Sequence, residues 1–379
     1  MSLRYAAGFD QPGLNTLVQG TPSYTYNLYS WGDNNVGQLG LNNRTNYSFP
    51  TKVGTSTWLK VAASTYSTIA IKPDGTLWTW GTNSLGQLGL GNTTYYSSPK
   101  QVGALTNWNN VSFGSNHALA TKTDGTLWSW GYNAQGQLGL GNTTYYSSPK
   151  QIGALNTWSY AYGKGNNSLA IKTDGTIWAW GQNSNGQLGL GNTTAYSSPK
   201  QIGALTTWSK LATYSANPSW VLALKTDGTL WSWGQNASGC LGLGNPSTSY
   251  SSPKQIGALT TWATPGQGRF AGYAIKTDGT LWSWGQNSYG RLGTNNLTYY
   301  SSPVQIGALT AWLNVTGGGY HAVASKTDGT LWAWGRNNFG QLGYSGNTAG
   351  VYSSPKQIGT ATSWLLGCAG GYSTFGFQY

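Results

Sequence analysis

The stretch Trp130-Gly131-Tyr132-Asn133-Ala134-Gln135-Gly136-Gln137-Leu138-Gly139 decides the fold, because the chain carries its pattern, Trp-Gly-x-Asn-x-x-Gly-x-Leu-Gly, seven times. The copies begin at Trp31, Trp80, Trp130, Trp180, Trp233, Trp284 and Trp334, with separations of 49, 50, 50, 53, 51 and 50 residues. A constant period near fifty residues marks a repeat architecture, in which each unit buries its apolar faces only against its neighbours. The 379 residues are therefore expected to form one closed ring, not the two or three domains that length alone suggests.

Local patterning gives each unit four strands. In the third unit Trp108–Ser112 reads as the first and Ala118–Lys122 as the second. Asp124-Gly125 is a tight hairpin turn, since a type I′ turn asks for positive φ at both central positions. Thr126–Trp130 follows as the third strand, and Pro149–Gly153 as the fourth, at a sheet edge where the missing N–H of proline is tolerated. The third strand is large on both sides, Leu127 on one and Trp128 and Trp130 on the other. A sheet wet on one face would alternate apolar and polar; a sheet sandwiched between two others, the condition of a propeller blade, need not. A fully buried Trp contributes on the order of 3 kcal/mol, so the tryptophan rows are read as the core. Six Trp-x-Trp pairs, Trp31 and seven first-strand openers account for 20 of the 21 tryptophans and leave Trp220 as the odd one. The chain ends on Thr374–Tyr379, a second strand without its third, and the first unit begins on Asn27–Trp31, a third strand without its second. Pairing them closes the ring and removes two open edges. The expected fold is all-β: a seven-bladed β-propeller of four-stranded blades over residues 28–379, one blade being built from both termini.

Residues 1–27 stand outside the period. Arg4, Tyr5, Phe9, Leu14 and Leu17 make this segment too apolar for a solvated tail, so it is expected to be an arm that packs on a face of the ring or docks into another protein.

Composition excludes more than it suggests. There is no Glu, and six of the eight Asp (Asp74, Asp124, Asp174, Asp227, Asp278 and Asp328) sit in one repeated turn, leaving Asp10 and Asp33. Glycoside hydrolysis needs two facing carboxylates, and hard-cation sites need several oxygen anions. Turn aspartates spread one per blade do not converge, so no enzyme activity, cofactor or metal site is expected. Cys240 and Cys368, 128 positions apart, form neither a disulfide framework nor a zinc pattern and read as buried structural thiols. The net charge of +12 is spread over lysines in two repeat positions, such as Lys122 and Lys150. Either these cations simply solubilise an acid-poor surface, or they attract an anionic glycan or an acidic protein; a nucleic-acid partner is not expected, since the sequence lacks a dense basic stripe. No signal peptide, membrane span or lipidation motif is visible.

The run 118–139, Ala118-Leu119-Ala120-Thr121-Lys122-Thr123-Asp124-Gly125-Thr126-Leu127-Trp128 through Gly139, preceded by Gly114-Ser115-Asn116-His117, resembles the regulator of chromosome condensation repeat. The resemblance covers residues 28–379 and implies a seven-bladed propeller. Eukaryotic members of that family include a guanine-nucleotide exchange factor bound to chromatin, ubiquitin ligases and channel regulators. The exchange activity depends on acidic and loop residues with no visible counterpart in this acid-poor chain. The repeats are also unusually alike: residues 89–101 recur verbatim at 139–151. Such uniformity resembles the propellers encoded by bacteriophages and marine bacteria. The resemblance implies a non-enzymatic virion protein that decorates a capsid or tail, with other virion or scaffold proteins held through the arm. It would be assembled in the host cytoplasm and displayed on the virion surface. The alternative is a cytoplasmic regulatory propeller acting as an exchange factor or chromatin adaptor.

One segment varies between copies, the connection from first to second strand. Its candidate binding residues are Tyr66, Asn116, His117, Tyr162, Lys164, Tyr214, Trp220, Arg269, Phe270, Tyr320, His321 and Tyr372. Because the segment holds the same place in every blade, these residues are expected on one face of the disc. Rigid aromatics beside adaptable polar groups suit recognition. His117 and His321 lack an adjacent acid or thiol, so neither a catalytic triad nor a zinc site is expected there.

Overall fold

A computed structural model describes residues 26–212, 219–344 and 350–379. The arm residues Arg4, Tyr5, Phe9, Leu14 and Leu17, and the loop residue Tyr214, lie outside the described residues.

The described residues form seven four-stranded antiparallel sheets. Six are built from consecutive strands. The seventh pairs Tyr26–Gly32 with Ser373–Gln378, in register from Asn27 opposite Gln378 to Gly32 opposite Ser373. Trp364–Ala369 and Tyr47–Trp58 complete that sheet on its two sides. The ring therefore closes as the incomplete terminal units predict. Tyr26 and Asn27, assigned to the arm on sequence, belong to this blade, since Asn27 pairs with Gln378 and Tyr26 is buried beside Phe377.

Strand limits shift slightly from the expected ones. In the third unit the strands are Trp108–Phe113, His117–Lys122, Leu127–Gly131 and Tyr146–Gln151. The fourth strand starts earlier than proline suggests because Tyr146 pairs with Gly131, and the ladder shifts register before Lys150 meets Ser129. That irregularity and the open outer edge accommodate Pro149. The first strands line the axis and the fourth strands form the rim. Seven apolar clusters fill the seven spaces between adjacent blades, each drawing residues from both neighbours.

The signature is the latch between blades. The third-strand Trp donates its indole N–H to a backbone carbonyl of the preceding blade: Trp80 to Gln38, Trp130 to Gln87, Trp180 to Gln137, Trp233 to Gln187, Trp284 to Cys240, Trp334 to Arg291 and Trp31 to Gln341, all at 2.8–3.1 Å. The final Gly of the pattern lets this indole approach: a Cβ on Gly89, whose φ is +74°, would stand 2.6 Å from Trp130 Nε1. The signature Asn closes its own loop, as Asn133 Oδ1 accepts from Leu138 N at 2.9 Å and its Nδ2 donates to the Asn142 and Thr144 carbonyls.

The Asp-Gly turn is not the type I′ turn expected, since of Asp124 and Gly125 only Gly125 has a positive φ, +78°. The repeated Asp is consumed locally. Asp124 Oδ1 accepts from the backbone N–H and the hydroxyl of Thr126, and Thr126 Oγ1 accepts from Trp128 Nε1. Lys122 Nζ lies 3.8 Å from the Trp128 ring centroid, a cation–π contact that recurs around the ring.

Candidate functional site

In an antiparallel four-stranded blade the first-to-second and third-to-fourth connections share one end of the strands, and the Asp-Gly turns lie at the other. All six turn aspartates are thus on the face opposite the variable loops. On the loop face, Asp33 is the acid among the described residues. It is buried, and its carboxylate accepts from Gln38 Nε2 at 3.0 Å and, over a longer 3.4 Å, from Asn35 N. Burial raises its pKa.

The loops are tied to one another through their backbones. Ser115 N donates to the Gly165 carbonyl, Arg269 N to Gly318 and Gly319 N to Gly371, across successive blades, at 2.8–3.3 Å. A surface held this way is pre-organised, so binding costs little ordering.

The structure divides the sequence candidates. His117, Lys164, Trp220, His321 and Tyr162 are buried and do not contribute to a surface. His117, Trp220 and His321 occupy one position, the first residue of the second strand opposite the signature glycine: His117 pairs with Gly131, Trp220 with Gly234 and His321 with Gly335. That position points into the space between blades. His117 Nε2 and Ser168 Oγ share a hydrogen bond of 2.9 Å, as do His321 Nε2 and Thr374 Oγ1. Burial holds both imidazoles neutral, with pKa values pushed down to about 3. Trp220 donates to the Arg269 carbonyl at 3.1 Å. Lys164 Nζ donates to the Ala212 carbonyl and to Gln267 Oε1, and burial lowers its pKa to about 7. The sequence argument placed these residues on the loop face because their loop varies; their side chains turn inward because each fills a gap left by the next blade.

Tyr66 is exposed, and Asn116 half-buried. The remaining candidates, Arg269, Phe270, Tyr320 and Tyr372, are half-buried and come together. Tyr320 and Tyr372 stack, with centroids 5.8 Å apart and planes at 27°. Arg269 Nη1 donates to Tyr320 Oη at 3.1 Å, and its guanidinium lies 5.2 Å from the Phe270 ring. Sequence reasoning missed four members of this cluster. Arg291 and Arg336 lie 4.7 and 5.6 Å from the Tyr320 centroid, Tyr289 packs edge-on against Tyr320 at 5.2 Å, and Phe339 packs edge-on against Tyr372 at 5.4 Å. All four occupy the x positions of the signature. A comparison of those positions between copies would have found them: five units have Gln where the sixth has Arg291, and no other unit has an arginine where the seventh has Arg336.

Both cysteines are free and buried, as their isolation in sequence implies; burial pushes the Cys368 thiol up to about 12 and raises that of Cys240 as well. Among the described residues no group of three His, Cys or Asp side chains could hold a metal ion, and no helix is long and apolar enough to cross a membrane.

Among solved structures the chain is similar to human WBSCR16, with 21% identity, a TM-score of 0.83 and coverage of 94% of this chain and 99% of that one. It is equally similar to Prp20p of Saccharomyces cerevisiae, with 18% identity, a TM-score of 0.82 and coverage of 94% and 92%. At these identities the likeness speaks for fold alone. A 77-residue stretch is 35% identical to the Homo sapiens protein named "Probable E3 ubiquitin-protein ligase HERC3", and spans 20% of this chain and 7% of that protein. The model of the regulator of chromosome condensation (RCC1) repeat matches seven times, at residues 27–71, 74–121, 124–168, 174–213, 227–264, 278–325 and 328–376. With the latch and closure described above, these matches make the chain a member of the RCC1 repeat family.

Proposed function

We propose that this protein is a non-catalytic binding propeller of a virus particle, whose lysines and turns repeat too evenly to select a partner anywhere but at its arginine–tyrosine sector. Residues 1–25 dock the ring to another virion protein, and the loop face recognises a surface glycan or a partner protein. The observation that carries the binding role is the asymmetry of the face: two half-buried arginines, the buried Arg291 and five aromatic rings gather in one sector of a nearly uniform ring. The locked histidines, buried thiols and turn-bound aspartates support a non-catalytic reading. The near-verbatim repeats and the apolar opening segment support the virion setting. Deleting residues 1–25, which spares the closing strand, is expected to abolish incorporation into particles while the melting temperature of the ring is unchanged. Normal incorporation of the truncated protein refutes the docking role.

A second reading is a cellular regulatory propeller. Prp20p has been studied for its binding to Gsp1p and histones, and yeast RCC1 (Prp20) has been seen bound to Kap60, so propellers of this fold bind proteins. This reading predicts accelerated nucleotide release from a GTPase, or nucleic-acid binding that falls steeply with salt. Absence of both eliminates it.

A further inference from the structure

Position 291 departs from the Gln that five units carry there; Cys240 is the other departure. Where that position is Gln, its Oε1 accepts the backbone N–H two residues upstream: Val36 to Gln38, Leu85 to Gln87, Gln135 to Gln137, Asn185 to Gln187 and Phe339 to Gln341, at 2.8–3.1 Å. A guanidinium has no acceptor, so Arg291 cannot close its turn in this way. Arg291 is instead buried, and its Nη1 donates to the Gly319 carbonyl of the next blade at 3.1 Å, so a bond between blades takes the place of the turn closure.

The cations of this protein are distributed in two patterns. Lysines repeat with the blades, and most stack on blade tryptophans or rim tyrosines. The chain has five arginines, and three of them, Arg269, Arg291 and Arg336, lie with their guanidinium carbons within 6.0 Å of the Tyr320 centroid. The acid of this face, Asp33, has its carboxylate committed to Gln38 and Asn35. Three like charges gathered at one ring repel one another, and an anion placed among them relieves that repulsion.

We propose that this sector binds an acidic polysaccharide, with the carboxylate of a uronic-acid-type sugar held by Arg269 and Arg336 beside the Tyr320 hydroxyl. The inference rests on the binding-propeller reading above and names its ligand class. Planar guanidinium forks match a carboxylate in two-point hydrogen bonds. Sugar rings supply C–H faces for Tyr372 and Phe339 and hydroxyls for the tyrosine Oη groups. Base stacking on Tyr320 is disfavoured, because it needs an open aromatic face. Here the faces of Tyr320 are taken by Tyr372 and the arginines.

The test uses the full chain at near-physiological salt, with polygalacturonate as the probe and neutral dextran, poly-glutamate and an oligo-dT strand as comparisons. Polygalacturonate is expected to bind, and dextran not. The pair Arg269→Gln and Arg336→Gln should weaken binding at least tenfold with an unchanged thermal melt. The pair Lys150→Gln and Lys200→Gln, which removes the same charge from the rim, should change it less than twofold. Equal loss in the two pairs, or tighter binding to poly-glutamate or oligo-dT, overturns the proposal. Because Arg269 is half-buried, Tyr320→Phe provides a second variant that keeps the ring and removes the hydroxyl; it should weaken binding severalfold. Failure of polygalacturonate to bind the folded wild-type chain refutes the ligand class. It leaves the scaffold reading to the arm deletion, which is scored on particles without any polysaccharide.

Discussion

The tryptophans that build the ring are not equivalent, and a set of Trp→Phe substitutions separates their roles. Trp130 and Trp180 are fully buried, and Trp108 nearly so. Each loses a similar apolar area when indole becomes phenyl, at a cost on the order of 2 kcal/mol with the residual cavity. Hydrogen bonding then distinguishes them. Trp130 Nε1 donates at 3.0 Å to the Gln87 carbonyl, and Phe leaves that buried oxygen without this donor. Trp180 Nε1 donates at 2.9 Å to the Gln137 carbonyl, which also receives the Ser168 hydroxyl at 2.8 Å. Trp108 Nε1 has no acceptor among the described residues, so nothing is orphaned by its removal. An unsatisfied buried carbonyl costs about 1–3 kcal/mol. The expected order of destabilisation is Trp130→Phe, then Trp180→Phe, then Trp108→Phe, with about 1–3 kcal/mol between first and last. Equilibrium unfolding in urea, followed by far-ultraviolet dichroism, gives the midpoints directly. If Trp108→Phe lowers the midpoint as much as Trp130→Phe, the indole bonds between blades do not contribute to stability and the latch reading is wrong.

Further expectations follow from the same contacts. Gly89→Ala should destabilise by several kcal/mol, because a Cβ there meets Trp130 at 2.6 Å, whereas Gly103→Ala, with similar φ but open space, should cost only about 1 kcal/mol of backbone strain; matched urea melts decide. Acid should weaken the fold well above the range where carboxylates titrate. The folded pKa of His117 and His321 is about 3 against an ordinary 6.5, so the unfolded chain binds more protons between these values and stability falls as pH drops from 6.5 towards 3. The turn aspartates, held below 3.8 chiefly by their Thr partners in most blades, lose their contribution only at still lower pH. A variant with both His117→Gln and His321→Gln should show a smaller drop in melting temperature between pH 7 and pH 4.5 than the wild type, and an identical drop refutes the assignment.

The fold was legible because its determinants are local and repeated. The Asp-Gly turn, the two-faced third strand and the incomplete terminal units each state a constraint that a neighbour must satisfy, and the closing pair Asn27–Gln378 satisfies it. The candidate site was only half legible. Variability located the right connection, but it could not say which side chains turn inward. His117 and His321 vary between copies for a packing reason, since each bonds a hydroxyl of the next blade. Arg291 and Arg336 escaped because they sit inside the motif that defined the repeat, where attention falls on the fixed positions and not on the x positions. The spatial meeting of Arg269 with Tyr320, fifty-one residues later, follows from the blade period alone: equal places in successive repeats become neighbours on the face.

That last relation explains how a uniform ring acquires a single site. In a repeat protein each blade position is constrained by the same contacts in every copy, so a substitution that keeps those contacts is free to serve another purpose. The backbone carbonyl at 291 still accepts from Trp334, as the Gln87 carbonyl does from Trp130; only the side chain has changed its task. Tyr289 and Arg291, Tyr320, Arg336 and Phe339, and Tyr372 lie at four connections spread over three successive blades, so a few changes in consecutive repeats build a continuous patch without altering the latch. The seven-fold scaffold supplies rigidity, and the breaking of its symmetry in one sector supplies selectivity. Restoring Gln at 291 should regain the turn-closing bond that Gln makes in five other units but give up the buried Arg291 bond to the Gly319 carbonyl, while stripping the sector of one of its three guanidinium groups.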